Sequence, residues 1–284
     1  MRVAETSADF RQLREQHGDV AFVPTMGALH EGHLALIRAA KDHCPTVAVS
    51  IFVNPTQFGA NEDLSSYPRP IEADLAKCEA AGVDLVFHPA ADVMYPPGAV
   101  ETIVDLPELT GKLEGRHRPG HFRGVCQVVL KLFNIVRPTV AVFGRKDFQQ
   151  LRVLEAMVAA LDVGVRIEGM DTVREPDGLA LSSRNAYLAP DERRRALSII
   201  AGLRAAKAEH DAGVTQTNRL EATVRNTIMD RGPDLGHVPV SIDYIQATDP
   251  ATLDQRDTVD GPTILLVAAR IGTTRLIDNL ELRR

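Results

Sequence analysis

The sequence predicts an α/β protein: a parallel sheet with helices on both faces, followed by a smaller α+β domain. Three observations carry this reading. Near-continuous apolar runs, several rich in β-branched residues, stand at 20–23, 46–53 and 138–144, the composition of strands buried on both faces. Amphipathic segments of helical spacing alternate with them at 34–41, 71–81 and 125–136. The alternation stops at a turn cluster, 174–178, beyond which two helical patterns precede two further strands. The boundary is therefore drawn between 175 and 176, giving a first domain of 1–175 with a Rossmann-like sheet and a second of 176–284.

Composition is consistent with this division. With 284 residues, 44% hydrophobic and 25% charged, the chain has the makeup of a globular protein with ample core. A net charge of −6 and the lack of a basic stripe argue against a nucleic-acid partner. Cys44, Cys78 and Cys126 are scattered and lack metal-site spacing, so they read as reduced, buried thiols. The first residues hold no apolar signal core and no stretch reaches membrane-spanning length, so no membrane partner is expected and the expected location is cytoplasmic.

Taken in order, a short polar helix is expected around 10–16, ahead of the 20–23 strand, which Pro24 is expected to end. The 46–53 strand runs into a turn, 54–59, that carries the amides of Asn54 and Gln57. The polar, proline-bounded stretch 60–70 reads as a mobile loop. The 71–81 helix stops at Gly82 and a strand follows at 84–88, with 102–105 a shorter β candidate suited to an edge. The stretch 114–124 is dense in Arg, His and Gly, which suits an anion-facing loop. After the 138–144 strand a helix runs to about 161, and 165–168 and 172–173 are short strand candidates. Two helical patterns fill 190–231, separated near Gly213, and strands are expected at 240–246 and 263–269.

The richest stretch is 24–33, Pro-Thr-Met-Gly-Ala-Leu-His-Glu-Gly-His. Strand, glycine turn and helix start in that order favour a bound polyanion, because the free N–H groups and positive end of the helix point at it. His30 and His33, three apart, share one face of that helix start and can stabilise charge on a phosphoryl group in transit. The glycine spacing of a dinucleotide fingerprint and the Lys-Ser pair of a Walker loop are both absent. In strand–helix context, His30-Glu-Gly-His33 resembles the HIGH-type signature of the nucleotidylyl-transferase superfamily. No second Cys or His cluster completes a zinc site around the pair, so no protein-held metal is expected.

Other polar clusters also follow strands, where open parallel sheets gather their ligands. Asn54 and Gln57 follow 46–53, and Gly144, Arg145, Lys146, Asp147 and Gln150 follow 140–143. Lys146 is a compact charge for a phosphate oxygen, and Asp147 can cap a helix or orient a ribose. Gln57 and Gln150 can donate and accept, which fits the hydroxyl and carboxylate groups of a small organic acid, and Asn54 is grouped with them. Ser182, Ser183 and Arg184, from the inter-domain stretch, offer hydroxyls and a forked cation for a leaving pyrophosphate, on a hinge that could close over nucleotide. Val173 reads as a strand residue whose backbone could pair with an adenine edge.

These motifs, with Arg118-Pro-Gly-His-Phe-Arg-Gly124, the run 143–151, Leu179-Ala-Leu-Ser-Ser-Arg-Asn185 and Arg275-Leu-Ile-Asp-Asn279, resemble the pantothenate synthetase (pantoate–β-alanine ligase) family over essentially the full length. Thr56 stands where that family commonly has methionine and Arg145 where glutamate is frequent; neither change removes a group the chemistry needs. The resemblance implies two steps: pantoate attacks ATP to give pantoyl adenylate and pyrophosphate, then β-alanine displaces AMP to give pantothenate. It implies an ATP site of Met26, Gly27, Ala28, Leu29, His30, Glu31, Gly32 and His33, with Gly144, Arg145, Lys146 and Asp147, then Val173, and Leu181, Ser182, Ser183 and Arg184. It makes His33 the proton donor, has Gln57 hold pantoate and β-alanine, and has Gln150 hold pantoate. It further implies Mg²⁺ carried with the triphosphate and a homodimer formed through the first domain.

Two other readings compete. A transferase that stops at nucleotide transfer to a phosphate compound would need extra cations where Gln57 and Gln150 stand. A non-catalytic nucleotide-binding regulator would bind ATP and release no pyrophosphate.

Overall fold

The computed structural model describes residues 1–60, 62, 64–230 and 238–282. They form two compact units: 1–111, 118–145 and 150–171 make the first, and 112–117, 146–149 and 172–284 the second. The second unit thus takes three short pieces of chain, 112–117, 146–149 and 172–175, from upstream of the cut drawn between 175 and 176.

The first unit begins with β1 (Arg2–Ala4) and α1 (Ser7–Arg14), the helix capped by Thr6, whose hydroxyl accepts from Asp9 N. Then come β2 (Val20–Thr25), α2 (Glu31–Lys41), β3 (Thr46–Ile51), α3 (Ile71–Ala80) and β4 (Leu85–Phe87). The short α4 (Ala91–Met94) and α5 (Pro107–Thr110) lead on, and α6 (Glu114–His117) belongs to the second unit. The long α7 (His121–Val136), β5 (Val140–Gly144), α8 (Phe148–Ala160) and β6 (Arg166–Met170) complete the series. All six strands pair in parallel in the order β1-β4-β3-β2-β5-β6.

Why this sheet is covered on both sides is legible along β2. Ala21 and Val23 pack with Ile37, Ala40 and Cys78 of α2 and α3. Phe22, pointing the other way, meets Phe133 of α7 at a centroid distance of 6.4 Å, and on the same side Phe10 of α1 meets Phe87 of β4 at 5.1 Å. A strand buried on both faces has no polar face to alternate with, hence the continuous apolar run.

Several expectations are corrected. β2 does not end at Pro24 but continues to Thr25, Pro24 pairing with Ser50. β5 pairs only with Ala21 and Phe22, so beyond them that side of β2 has no ladder for the missing proline N–H to break. The 102–105 segment is not a strand: Gln127 holds the Thr102 carbonyl at 2.8 Å, and Arg123 and Thr110 hold the Asp105 carboxylate, so side chains fix it instead of a ladder. The edge beside β4 belongs to β1, three residues too short to announce themselves. Residues 172–173 lie outside any strand, next to an isolated bridge between Arg174 and Ala180. The 114–124 stretch is no anion-facing loop: it supplies α6 and the start of α7, and Glu114, Arg118 and His121 are engaged with protein groups.

In the second unit, α9 (Pro190–Asp211) and α10 (Thr217–Met229) precede an antiparallel sheet in the order β7 (Val240–Thr248), β8 (Thr263–Ile271) and β9 (Thr274–Leu282). Position 231, the end of the expected helical region, lies outside the described residues. β9 was not foreseen as a strand. Its apolar alternation, Leu276, Leu280 and Leu282, is interrupted by the buried Asp278. Its odd-numbered face reaches the borrowed segments, Arg275 gripping Glu114 at 2.6 and 2.8 Å. Tyr244 donates to the same carboxylate at 2.7 Å; burial, then that neighbouring negative charge, pushes its phenol well above its ordinary range.

One packing detail positions the site. At Gly124 of α7 a Cβ would run into the Thr56 carbonyl and stand 2.6 Å from Gln57 N. In an open helix, alanine stabilises by about 1 kcal/mol over glycine. Here Gly124→Ala is expected to destabilise, by about 1–3 kcal/mol as for overpacking. A melting midpoint equal to or above that of the unmodified protein would show that the approach is not tight.

Candidate functional site

The winding of the sheet reverses between β2 and β5, so the loops leaving these strands diverge and open a crevice at their carboxyl ends. The loop from β2 carries the 24–33 motif. Thr25 donates to the Ser50 carbonyl at 2.7 Å and accepts from Gly27 N at 3.2 Å, closing the first bend. Gly27 and Ala28 then both take positive φ, 84° and 50°. Glycine suits the first position, where a Cβ would meet Asp74 Oδ2 at 3.0 Å, whereas Ala28 is held there against its preference.

What holds it is a carboxylate the sequence did not single out. Asp74 of α3, 1% exposed, accepts from Ala28 N at 2.7 Å on one oxygen and from Leu29 N at 2.8 Å on the other. One turn further along α3, Lys77 donates to the Leu29 carbonyl at 2.5 Å. Consecutive peptide groups before His30 are thereby fixed from a helix more than forty positions away. Because the partners are backbone groups, no residue pattern in 24–33 could reveal this.

His30 is the N-cap of α2. Its Nδ1 accepts from Gly32 N at 3.1 Å, while His33 Nδ1 accepts from His30 N at 3.3 Å, a reciprocal capping box built from two imidazoles. With Nδ1 an acceptor, each neutral ring carries its proton on Nε2 and is a donor there. The ring centroids are 4.1 Å apart, so the two donors sit side by side, as their spacing implied.

The turn after β3 is organised by Asn54, 1% exposed. Its Nδ2 donates to Gln57 Oε1 at 3.0 Å and to the Gly124 carbonyl at 3.1 Å. Its Oδ1 accepts from Thr56 N, the Thr56 hydroxyl and the Tyr95 hydroxyl, the last at 2.8 Å. Asn54, expected among the substrate-binding residues, spends its amide on these protein partners and positions Gln57. That fixes the Gln57 amide: Oε1 faces Asn54, and Nε2 points to the Met26 sulfur at 3.1 Å, a weak acceptor that a ligand oxygen can replace. Gln57 thus accepts through Oε1 from Asn54 and keeps its Nε2 donor turned to the sulfur. Its carbonyl accepts from His121 Nδ1 at 2.9 Å, and His121 Nε2 meets Arg118 at 3.0 Å, which makes His121 the Nδ1–H tautomer.

Arg118 in turn grips Glu62 at 2.7 and 2.6 Å. Burial raises the Glu62 carboxyl, but the Arg118 bonds and charge outweigh it and hold the group below its usual range. Of the 60–70 loop, Asn61 and Asp63 lie outside the described residues; the described remainder is tied by this pair and by Arg69 on the Leu64 carbonyl at 2.9 Å. A cavity of about 330 Å³ opens beside the turn, lined by Met26, Gly27, Phe52, Ile71, Asp74 and Pro89 among others. Gly144 and Arg145 leave β5 on the other side of the crevice, Arg145 lying 3.6 Å from Asp171. Gln150, half-buried, is in the first turns of α8.

The second unit carries the remaining expected residues. Lys146 lies 3.8 Å from Asp147, whose side chain is half exposed, and the Lys146 carbonyl accepts from Asn279 Nδ2 at 2.9 Å. The Val173 carbonyl is taken by Leu181 N at 3.0 Å, leaving its N–H as the group to test for base pairing. Ser182 caps the turn Ser183–Tyr187 by accepting from Arg184 N at 3.3 Å, so the Ser-Ser-Arg run is a helical turn start. All three cysteines are buried and free; burial first, then a nearby aspartate, pushes Cys78 up to about 11 and Cys126 to about 12, which removes them as nucleophiles. Among the described residues no helix is long and apolar enough to cross a membrane.

A family model described as pantoate-beta-alanine ligase matches residues 1–281. The pantothenate synthetase of Syntrophotalea carbinolica is 50% identical over 277 residues, 98% of this chain and 95% of the relative. That of Myxococcus xanthus is 50% identical over 287 residues, 99% and 96% of the two. Among solved structures, pantothenate synthetase from Thermus thermophilus superposes with a TM-score of 0.93 at 41% identity over 100% of both chains. Pantoate-beta-alanine ligase from Francisella tularensis, complexed with beta-gamma ATP and beta-alanine, gives 0.80 at 33% identity over 99% and 97%.

If the Asp74 carboxylate holds the turn, Asp74→Ala leaves two buried N–H groups unpaired, at about 1–3 kcal/mol each. Asp74→Asn keeps one acceptor and should lose about half as much. Urea unfolding of both variants decides it, and equal stability of all three proteins would refute the assignment.

Proposed function

The chain belongs to the pantoate–β-alanine ligase family, and on that basis we propose which residues carry each step of its reaction. The enzyme condenses pantoate with β-alanine to pantothenate using ATP. A pantoate carboxylate oxygen attacks the α-phosphorus, the bond to the bridging oxygen breaks, and pyrophosphate leaves. The β-alanine amine then attacks the acyl carbon of the pantoyl adenylate, losing a proton as AMP departs.

The observation that carries the assignment is the reciprocal imidazole cap, which turns the Nε2–H of both His30 and His33 into donors at a helix N-terminus beside the switch point. On this reading the 26–33 turn receives the phosphates: Met26, Gly27, Ala28 and Leu29 by close backbone approach, Glu31 and Gly32 through the first helical N–H groups, and the histidines through Nε2. His33 donates to the oxygen that accumulates charge as pyrophosphate leaves, with His30 beside it. Lys146 meets the transferring phosphoryl group as a point charge, and Gly144, Arg145 and Asp147 complete the nucleotide contacts of that segment. The Val173 N–H reads the adenine edge, and Leu181, Ser182, Ser183 and Arg184 take the polyphosphate at their turn start.

Gln57 donates Nε2–H to pantoate and then to the β-alanine carboxylate, its own oxygen held by Asn54, and Gln150 takes a pantoate hydroxyl. The apolar wall of the cavity beside Met26 suits the methyl-bearing carbon skeleton of pantoate. Mg²⁺ comes with ATP as part of that substrate, keeping most of its waters. Family membership supports a homodimer, and three buried free thiols support a reducing, cytoplasmic setting.

The direct test is isotope exchange. Labelled pyrophosphate should enter ATP when pantoate is present, with no β-alanine added. Exchange that requires the amine would overturn the order of steps.

The histidine pair gives a sharper test. His30→Ala and His33→Ala should each slow pantoyl adenylate formation by about 10²–10³, the loss typical of one donor to developing charge. The double variant should be little worse than either single one, as for groups serving one transition state. Reaction of supplied pantoyl adenylate with β-alanine should be spared. His30→Asn keeps a capping acceptor yet loses the Nε2 donor, so it separates a helix-start defect from a chemical one. Additive losses in single-turnover measurements would end the paired assignment.

A further inference from the structure

We propose that Asn279, backed by Asp278 and Arg174, is a positioning residue for the adenylation step that acts through Lys146. The inference rests on the reading above that Lys146 meets the transferring phosphoryl group.

Adjacent residues of a strand project to opposite faces, so β9 reaches two separate segments of the second unit with neighbouring side chains. From one face Asn279, 8% exposed, donates Nδ2–H to the Lys146 carbonyl at 2.9 Å. From the other, Asp278, 5% exposed, receives both arms of Arg174 at 2.7 and 2.9 Å. The same Asp278 Oδ1 accepts from Asn279 N at 2.8 Å, so the carboxylate fixes the backbone that carries the amide. Arg174 also donates to the Gly178 carbonyl at 3.1 Å, holding the turn that follows Val173, while Leu181 N pairs with the Val173 carbonyl.

One short stretch of β9 therefore sets the backbone of Lys146 and of the 173–181 turn together. These are the segments assigned to the phosphoryl group, the base and the polyphosphate. Lysine aims a point charge from a flexible stem, so its reach depends on where its backbone is held. A buried, paired Asp-Arg couple interrupting the apolar face of β9 costs packing and desolvation that a leucine would not. Such a cost is understandable where the couple fixes a geometry, and displacement of a catalytic group by about 1 Å costs on the order of 10² in rate.

The test is a cycle of Asn279→Ala, Lys146→Ala and the double variant, measured on each half-reaction in the full-length enzyme. Asn279→Ala should slow adenylate formation by about 10–10², with the KM for pantoate and the reaction of supplied pantoyl adenylate with β-alanine nearly unchanged. The double variant should be no slower than Lys146→Ala alone, because the amide acts only through the lysine. The near-isosteric Asn279→Asp keeps the volume but removes the Nδ2 donor, and should lose adenylation as Asn279→Ala does. Full activity in Asn279→Asp, additive losses in the double variant, or equal slowing of both half-reactions overturns the inference. Unimpaired adenylation in Lys146→Ala itself would instead overturn the role given to the lysine.

Discussion

The Asp74 carboxylate and the two peptide N–H groups it receives are the contact on which the rest of the candidate site depends. A chain leaving β2 and entering α2 has to reverse within a few residues while its amides lose water. Positive φ at Gly27 and Ala28 makes the bend, and only the first of these is intrinsically comfortable. A buried anion accepting from consecutive amides offsets that strain and leaves His30 at the helix cap with extended backbone. The capping box of two imidazoles then follows, and with it the placement of the protons on Nε2. Remove the carboxylate and the histidines lose their frame before they lose any chemistry of their own.

A second anchor works by the same logic at the end of β3. Asn54 uses every hydrogen-bonding position of its amide on protein partners, among them the Gly124 carbonyl of α7 and the Gln57 side chain. Gly124 allows the helix to come that close, since any larger residue meets the Thr56 carbonyl. Gln57 is consequently pre-set with its donor end turned toward a sulfur that competes weakly. Binding an acid oxygen there breaks little, which is how a rigid scaffold lowers the cost of ligand ordering.

The second unit shows how one strand can serve both a core and a set of polar anchors. β9 contributes Leu276 and Leu282 to the core with α9 and α10. Its polar side chains reach elsewhere, Arg275 to Glu114 and Asn279 to the Lys146 carbonyl. The short segments 112–117 and 146–149 join this unit through such bonds, although their neighbours in sequence belong to the first unit.

Residue patterns alone were enough to reach the main strands of the parallel sheet, the helices between them and the clustering of polar groups after β2, β3 and β5. These are local matters: a strand buried on both faces must be apolar throughout, and a glycine turn before a helix start is written in consecutive residues. The glycine turn and the two neighbouring histidines at the start of α2 were legible for that reason. Only the folded chain shows that Asp74 holds the turn, that Asn54 spends its amide on protein partners and so orients the Gln57 side chain, and that Pro24 lies within a strand. It also settles that β9, with Asp278 inside its apolar pattern, is a strand at all, because Arg174 satisfies the charge from another segment. The physical reason is common to all of these. A backbone N–H or carbonyl accepts any suitable partner, from any distance along the chain, and so leaves no mark of its choice in the residues around it.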